Sequence, residues 1–457
     1  MRWCCIRGLS RVILAVIIIA IIAIGVGSYL AFTNLTAPPK PEKPKLVIWG
    51  RATFVPPQMY WIEQKVRKWA AENGVDVEIT WIPVAEIGKK LIAAVEAGSP
   101  PDIVINGHPV AIFAEKGLLI PLDDVVDKLG RDDIYEIKLK TCTFAGKIYC
   151  IPMMFEITWL HVRMDLVAKA NAEAYLPPKS FEDLYILAKM LNNTEPGVYG
   201  IGWTYGLNGF DTWWMFQHVW AYFGGGMLAS RSSDGVIMDK PPYRDALKKA
   251  FDYVKRFLDE KLTPPDSTEW VDVSNNLAYI QGRVAMTLNP LSIYYALLNE
   301  KPDLAAKTKL FLPPVSVDLG DESVFIFKTT KYPELAKDLV YYIFKDKDDY
   351  RVGFSESGAL YGLPIFKSQV QKISEAWKKG RWPALGEDPA AAIEKIKYHE
   401  TAAFPLGERT APSELFREGF IWNEMIQRVV IRGENPDKII DEYAARFKDE
   451  VKRTYGS

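Results

Sequence analysis

Residues 93–124 read AAVEAGSPPDIVINGHPVAIFAEKGLLIPLDD. The apolar end of a helix runs into Gly98 and the Pro100-Pro101 pair. After Asp102, the run Ile103, Val104 and Ile105 is only strand length, and Gly and Pro punctuate both sides of it. Asn106, Gly107, His108 and Pro109 turn the chain into a second helix, which Gly117 ends. A helix–strand–helix unit with polar residues just past the strand's carboxyl end is where open α/β sheets bind ligands. The plainer reading is one ordinary α/β unit, with Asn106 a turn residue before Gly107 and His108 structural.

Outward from this unit the pattern repeats. Residues 45–50 (KLVIWG) read as a strand. Residues 60–73 form an amphipathic helix with Ile62, Val66, Trp69 and Ala70 on one stripe. Residues 75–83 alternate as a strand, and 86–97 are helical with Ile87, Leu91 and Val95 spaced by four. This βαβαβ order predicts a parallel sheet with helices on its faces. Further on, 211–223 (DTWWMFQHVWAYF) is a dense aromatic helix ended by Gly224, Gly225 and Gly226. Residues 322–328 read as a strand, 333–344 as a helix, and 439–451 as a closing amphipathic helix. At 457 residues the chain is too long for one typical core, so two domains are expected.

The pair AGSPPDIV and AEKGLLIPLDD resembles the signature of family 1 extracellular solute-binding proteins, the maltose-binding-protein-like sugar receptors of ABC importers. Other segments resemble the same family in the expected order. GKIYCIP at 146–152 follows its Gly-Lys-x-Tyr-Gly-x-Pro, with Cys150 in place of the second Gly. PPKSFEDL at 177–184, QGRVAMTLNP at 281–290 and GLP at 362–364 have counterparts too, whereas His161-Val162-Arg163 departs from the family's x-Tyr-Asn. The resemblance runs from about residue 45 to the C-terminus. It implies an α/β two-lobe periplasmic-binding-protein fold, each lobe a sheet flanked by helices, with hinge strands between the lobes. The N-lobe is then 46–155 plus 320–360, and the C-lobe 156–319 plus 361–457.

The first residues stand apart from this body. Residues 12–32 carry no charge over a length that suffices to span a bilayer as a helix. Arg2, Arg7 and Arg11 precede it, and no basic residue follows until Lys40, which places the body outside the cell. A cleaved secretory signal and a retained anchor are the two readings. Arg7-Gly8-Leu9-Ser10 resembles archaeal pilin-type signals, which are cut before the apolar helix and keep it as an anchor. Residues 33–45 are a Pro-rich tether. Asn34 and Asn192 open glycosylation sequons. Cys4 and Cys5 precede the apolar run. Cys142 and Cys150 are symmetric about Gly146, so a hairpin centred there makes them face each other, and outside the cell a disulfide is expected. Two separate buried thiols are the other reading.

Net charge of −1 leaves no electrostatic footprint for nucleic acid. There is no phosphate loop, no nucleophile elbow and no HExxH, and the four His lie far apart. No metal site or cofactor is expected, and no enzyme activity. The expected function is an extracellular receptor, a monomer, that delivers a sugar or oligosaccharide by cleft closure to ABC transporter permease subunits with their ATPase. The alternatives are a receptor for ferric ion or glycerol phosphate, and a secreted glycan-active enzyme using Glu156 and Asp211. Sugar binding needs aromatic faces for ring C–H groups and polar side chains for the hydroxyls. By the resemblance, Asn106 and His108 fall where relatives have cleft residues, Glu156 at a ligand-binding Glu, and Trp214 at a stacking aromatic. Ser292 falls at a stacking Trp, which Tyr294 or Tyr295 would replace. Arg51, Asp211 and Asn289 complete the candidate set. Trp213 and Trp214 point about 100° apart on a helix, so one faces the ligand and the other the core.

Overall fold

The computed structural model describes residues 15, 16, 18–26, 28, 43–320, 322–399 and 402–456. The chain divides into two compact units, residues 1–44 and 45–457. In the first, the described residues between 15 and 28 are helical, with apolar side chains such as Ile19 and Ile24 exposed. Among the described residues no helix is long and apolar enough to cross a membrane. The rest of the 12–32 stretch, the pilin-like segment, Cys4, Cys5, Asn34 and most of the tether lie outside the described residues.

Among its described residues the second unit holds two larger sheets and three two-stranded pairs. The first has five strands in the order Asp76–Ile82, Lys45–Arg51, Ile103–Gly107, Ser323–Ile326, Ile151–Pro152. The first three are parallel, with Ile48 opposite Ile79 and Ile103. The edge strand Asp76–Ile82 alternates exposed and covered side chains, whereas Ile103–Gly107 is buried throughout, as a central strand with both faces covered must be. Ser323–Ile326 enters antiparallel to both of its neighbours, so the sheet is mixed. The βαβαβ order governs only strands joined by crossover helices, and this one arrives from the other sheet. Gly50 lies opposite Trp81 in register, and a Cβ there would meet the Trp81 ring at 2.5 Å. In the second sheet Trp159–Arg163 lies between Met286–Asn289 and Thr308–Phe311, antiparallel to both.

One hydrophobic core packs on the first sheet and includes the helices Pro56–Asn73 and Pro333–Phe344. It continues into Tyr279, Ile293 and Leu297. The other gathers the helices Phe210–Tyr222, Tyr243–Asp259, Ile421–Val430 and Pro436–Tyr455. Three segments run side by side between the sheets: single bridges join Ile157 to Asp318 and Phe155 to Leu363.

Local signals explain most boundaries. Pro56 and Pro436 occupy first-turn positions of their helices, where the missing N–H costs nothing. Ser180 and Asp183 form a complete capping box. Asn106 differs from expectation. The strand runs through Gly107, so Asn106 is a strand residue with φ of 56° and the turn comes later. The Cys142–Cys150 disulfide is formed. The hairpin turns over Ala145 and Gly146, both at positive φ, as a two-residue loop requires. An even loop pairs Cys142 with Tyr149, whose N–H donates to the Cys142 carbonyl at 2.9 Å. The two cysteines are therefore offset by one residue rather than directly opposed.

Candidate ligand-binding cleft

Arg51 ends the first strand, Glu156 lies on the first crossing segment, and Glu322 immediately precedes Ser323–Ile326. The register of three separate chain segments thus brings one cation and two carboxylates together, all nearly buried. The Arg51 guanidinium pairs with Glu322 and lies 3.9 Å from Glu156. Buried ions persist only when paired and hydrogen-bonded. The Glu156 N–H donates to Asp318 Oδ1 at 3.0 Å, and Asp318 in turn pairs with the fully buried Lys138 at 2.8 Å. Burial and the neighbouring Glu156 carboxylate push the Tyr361 hydroxyl well above its ordinary pKa.

The facing wall begins the helix Phe210–Tyr222. Asp211 and Trp214 are three residues apart and so share a face. The Trp214 indole N–H donates to Asp211 Oδ1 at 2.8 Å. Asp272 Oδ1 accepts the Asp211 backbone N–H at 3.1 Å. Burial first, and Asp272 second, hold the Asp211 carboxyl well above the usual carboxylate range; Trp214 and Asn275 offset this only in part. Burial pushes Asp272 up to about 6, against backbone hydrogen bonds that favour its charged form. Below them the amide of Asn289 donates to Asn276 at 2.7 Å, Asn276 donates to Ser292 at 3.3 Å, and Ser292 donates back to Asn289 at 3.0 Å. The Arg417 guanidinium lies 4.1 Å from the Phe210 ring centre and donates to Glu418 at 2.8 Å.

These side chains line one cavity of about 50 Å³. That holds a few waters, far less than the ~300–1,000 Å³ of a typical ligand pocket. The helix Ala411–Glu418, which supplies Arg417 to the cavity, packs against the segment after Ile103–Gly107. Its Glu414 accepts the Val110 and Ile112 N–H groups at 3.3 and 3.1 Å.

Residues 55–349 match the family described as bacterial extracellular solute-binding protein, over more than half of the chain. The chain belongs to this family. A binding protein of Brucella abortus is 24% identical over 323 residues, covering 68% of this chain and 74% of that one. The maltotriose-binding protein of Pyrococcus abyssi is 24% identical over 211 residues, covering 46% of this chain and 43% of the relative. A solute-binding protein of Thermotoga lettingae bound with α-D-tagatose superposes with a TM-score of 0.73 at 22% identity, covering 90% of this chain and 100% of its own. Maltose-bound MalE3 of T. maritima gives 0.69 at 17% identity, with 88% and 99% covered. The two-lobe fold is theirs. The family is one of extracytoplasmic binding proteins, which removes the reading of Glu156 and Asp211 as glycosidase carboxylates.

In this solute-binding protein the structure brings five of the expected residues, Arg51, Glu156, Asp211, Trp214 and Asn289, to one cavity. Three are elsewhere. His108 is fully buried behind the wall, 2.9 Å from Glu418, and its ring meets Phe210 edge-on. Asn106 is fully buried in its strand, and its amide makes no hydrogen bond among the described residues. Tyr294 packs into the first core. Trp213 stacks on Trp422 at 5.1 Å, leaving Trp214 for the cavity. The residues not foreseen are mainly Asp272, Asn276, Glu322, Tyr361 and Arg417. Asp272 and Asn276 lie four apart where Val271, Val273 and Leu277 are exposed, and this polar spacing was the one available signal. Nothing local marks Glu322 or Arg417.

Proposed function

We propose that this protein captures a sugar or short oligosaccharide in the cavity and presents the closed, loaded form to the permease of an ABC importer. The observation that carries the reading is the Trp214 ring set beside Asp211, Asp272 and the Asn276–Asn289–Ser292 ring in one cavity. An aromatic face next to side chains that accept or donate in pairs is what a polyhydroxylated ring requires. Arg51, Glu156, Asp211, Trp214 and Asn289 are the proposed ligand contacts. Named sugar ligands among the relatives support the same class. Four carboxylates against two guanidinium groups line the cavity, which disfavours glycerol phosphate, and Tyr294 of the tyrosine pair a ferric receptor would use lies in the core. In this reading the lobes are 46–155 plus 320–360 and 156–319 plus 361–457. They open to admit ligand, and the ligand shifts the population towards closure. The receptor acts as a monomer outside the membrane, held there by the apolar segment at 12–32.

A thermal-shift screen against sugars, metal ions and phosphates tests this. A ligand that binds only the folded state at 100 times its Kd adds about 2.7 kcal/mol. Stabilisation by at least one carbohydrate is expected. A shift with metal or phosphate and with no carbohydrate overturns the reading.

A further inference from the structure

We infer that the sugar bound here is an amino sugar, its ammonium group docking on the Asp211 carboxylate. This rests on the sugar reading above and goes further in assigning the ligand a charge. The charges lining the cavity are unequally served. Arg51 is engaged by Glu322 and Glu156, and Arg417 by Glu418. Among the described residues neither Asp211 nor Asp272 makes a direct ion pair; Arg417 and Arg51 act on Asp272 only from further away, and no cation favours the charged form of Asp211. Asp272 is served by the Asp211 backbone N–H, and Asp211 Oδ1 by the Trp214 indole. The second oxygen, Asp211 Oδ2, is buried at the cavity wall without a well-formed hydrogen bond, the Asn275 amide being the one further side chain near enough to favour the charged carboxyl.

A buried carboxylate oxygen with no well-placed donor, beside a second carboxylate, is costly for a closed cleft. A neutral sugar hydroxyl would serve one lone pair and leave Asp211 in the protonated form that burial and Asp272 favour, whereas a cation stabilises its ionised form. An ammonium group supplies up to three donors and the missing positive charge together. The Trp214 ring is fixed at the same carboxylate by its own N–H. It offers a face to the sugar's C–H groups and attracts a cation in addition. An anionic sugar would add repulsion from the same pair.

The test is calorimetric titration of the purified protein with D-glucosamine, D-galactosamine, D-mannosamine and the β-1,4-linked glucosamine disaccharide. Each is compared with its hydroxyl counterpart and its N-acetyl counterpart. At least one free amine is expected to bind tenfold or more tighter than both counterparts. Asp211→Asn should bring that amine down to the level of the hydroxyl sugar, and Asp272→Asn should remove part of the preference. The wild-type comparison stands even if Asp211→Asn fails to fold. Neutral sugars binding as tightly as the amines would overturn the charge assignment and leave the sugar reading intact. Binding of no sugar from any set would overturn both.

Discussion

Asp211 and Asp272 make the cleft sensitive to pH in a direction that can be worked out. Their pKa values lie above those of the unfolded chain, so the folded protein keeps protons that the unfolded chain has released. The stability this pair contributes is fully present below about pH 3.9 and is lost as pH rises through Asp272's value of about 6. Asp272→Asn still accepts the Asp211 N–H but cannot ionise. It should be more stable than wild type at pH 7 and equal to it near pH 4; urea midpoints at four pH values check this, and parallel profiles would refute it. Trp214 calls for a gentler change than alanine, since removing a buried Trp costs ~3–5 kcal/mol through the cavity left behind. Trp214→Phe keeps an aromatic face, loses the N–H to Asp211 and removes less buried volume than alanine would. Sugar affinity should fall roughly tenfold, on the scale of one hydrogen bond to a charged group, with the circular dichroism spectrum unchanged; unaltered affinity would remove Trp214 from the site. That only one of Trp213 and Trp214 lines the cavity is legible because adjacent helix residues must diverge, and the family resemblance points to Trp214. The burial of His108 away from the cavity depends on Glu418, 310 residues away in the chain.

Between elements, one carboxylate ties the chain leaving the first sheet to the last helix. Glu115 follows the short helix Ala111–Ala114 and accepts from the Tyr455 hydroxyl at 2.9 Å and from the Ala411 N–H at 3.0 Å. It also pairs with Arg231, which reaches Glu408 at 3.1 Å. Glu115 belongs to the chain leaving the first sheet, whereas Tyr455 ends the last helix of the second core. None of these side chains lines the ligand cavity. Glu115→Gln should weaken ligand affinity several-fold by disfavouring closure. The ligand-free protein should lose at most ~1 kcal/mol, since the pair is only partly buried. Titration and melting curves separate the two, and a large stability loss with unchanged affinity would make Glu115 structural. Elements themselves were largely readable, because caps, turn residues and apolar periodicity act within a few residues. The hairpin was read one residue out of register, because symmetry about Gly146 does not show that the loop is even.

For the whole molecule, three buried histidines oppose the aspartate pair. Burial lowers His161 to about 3 and His218 and His399 to about 4. The unfolded chain takes up these protons near pH 6.5, so the stability they contribute is full above that pH and is lost as pH falls towards 4. Glu414 is raised like the aspartates, but paired carboxylates such as Asp133, Asp165 and Asp266 are lowered and lose their stabilisation on acidification together with the histidines. The melting temperature should therefore fall between pH 6.5 and 4, and Asp272→Asn should make that fall steeper. A melting temperature that rises on acidification would show the carboxylates dominate.

The sequence alone determined the solute-binding family, the α/β class, the early strands and helices and the aromatic wall of the cleft. Those rest on local propensity and on motifs that keep their order along the chain. Only the tertiary structure decided which polar residues share a cavity. Arg51 comes from the end of a strand, Glu156, Glu322 and Tyr361 from three other stretches of the chain, and Arg417 from the helix Ala411–Glu418. Their juxtaposition depends on sheet register and on lobe closure, and neither quantity is encoded in the spacing of any one stretch.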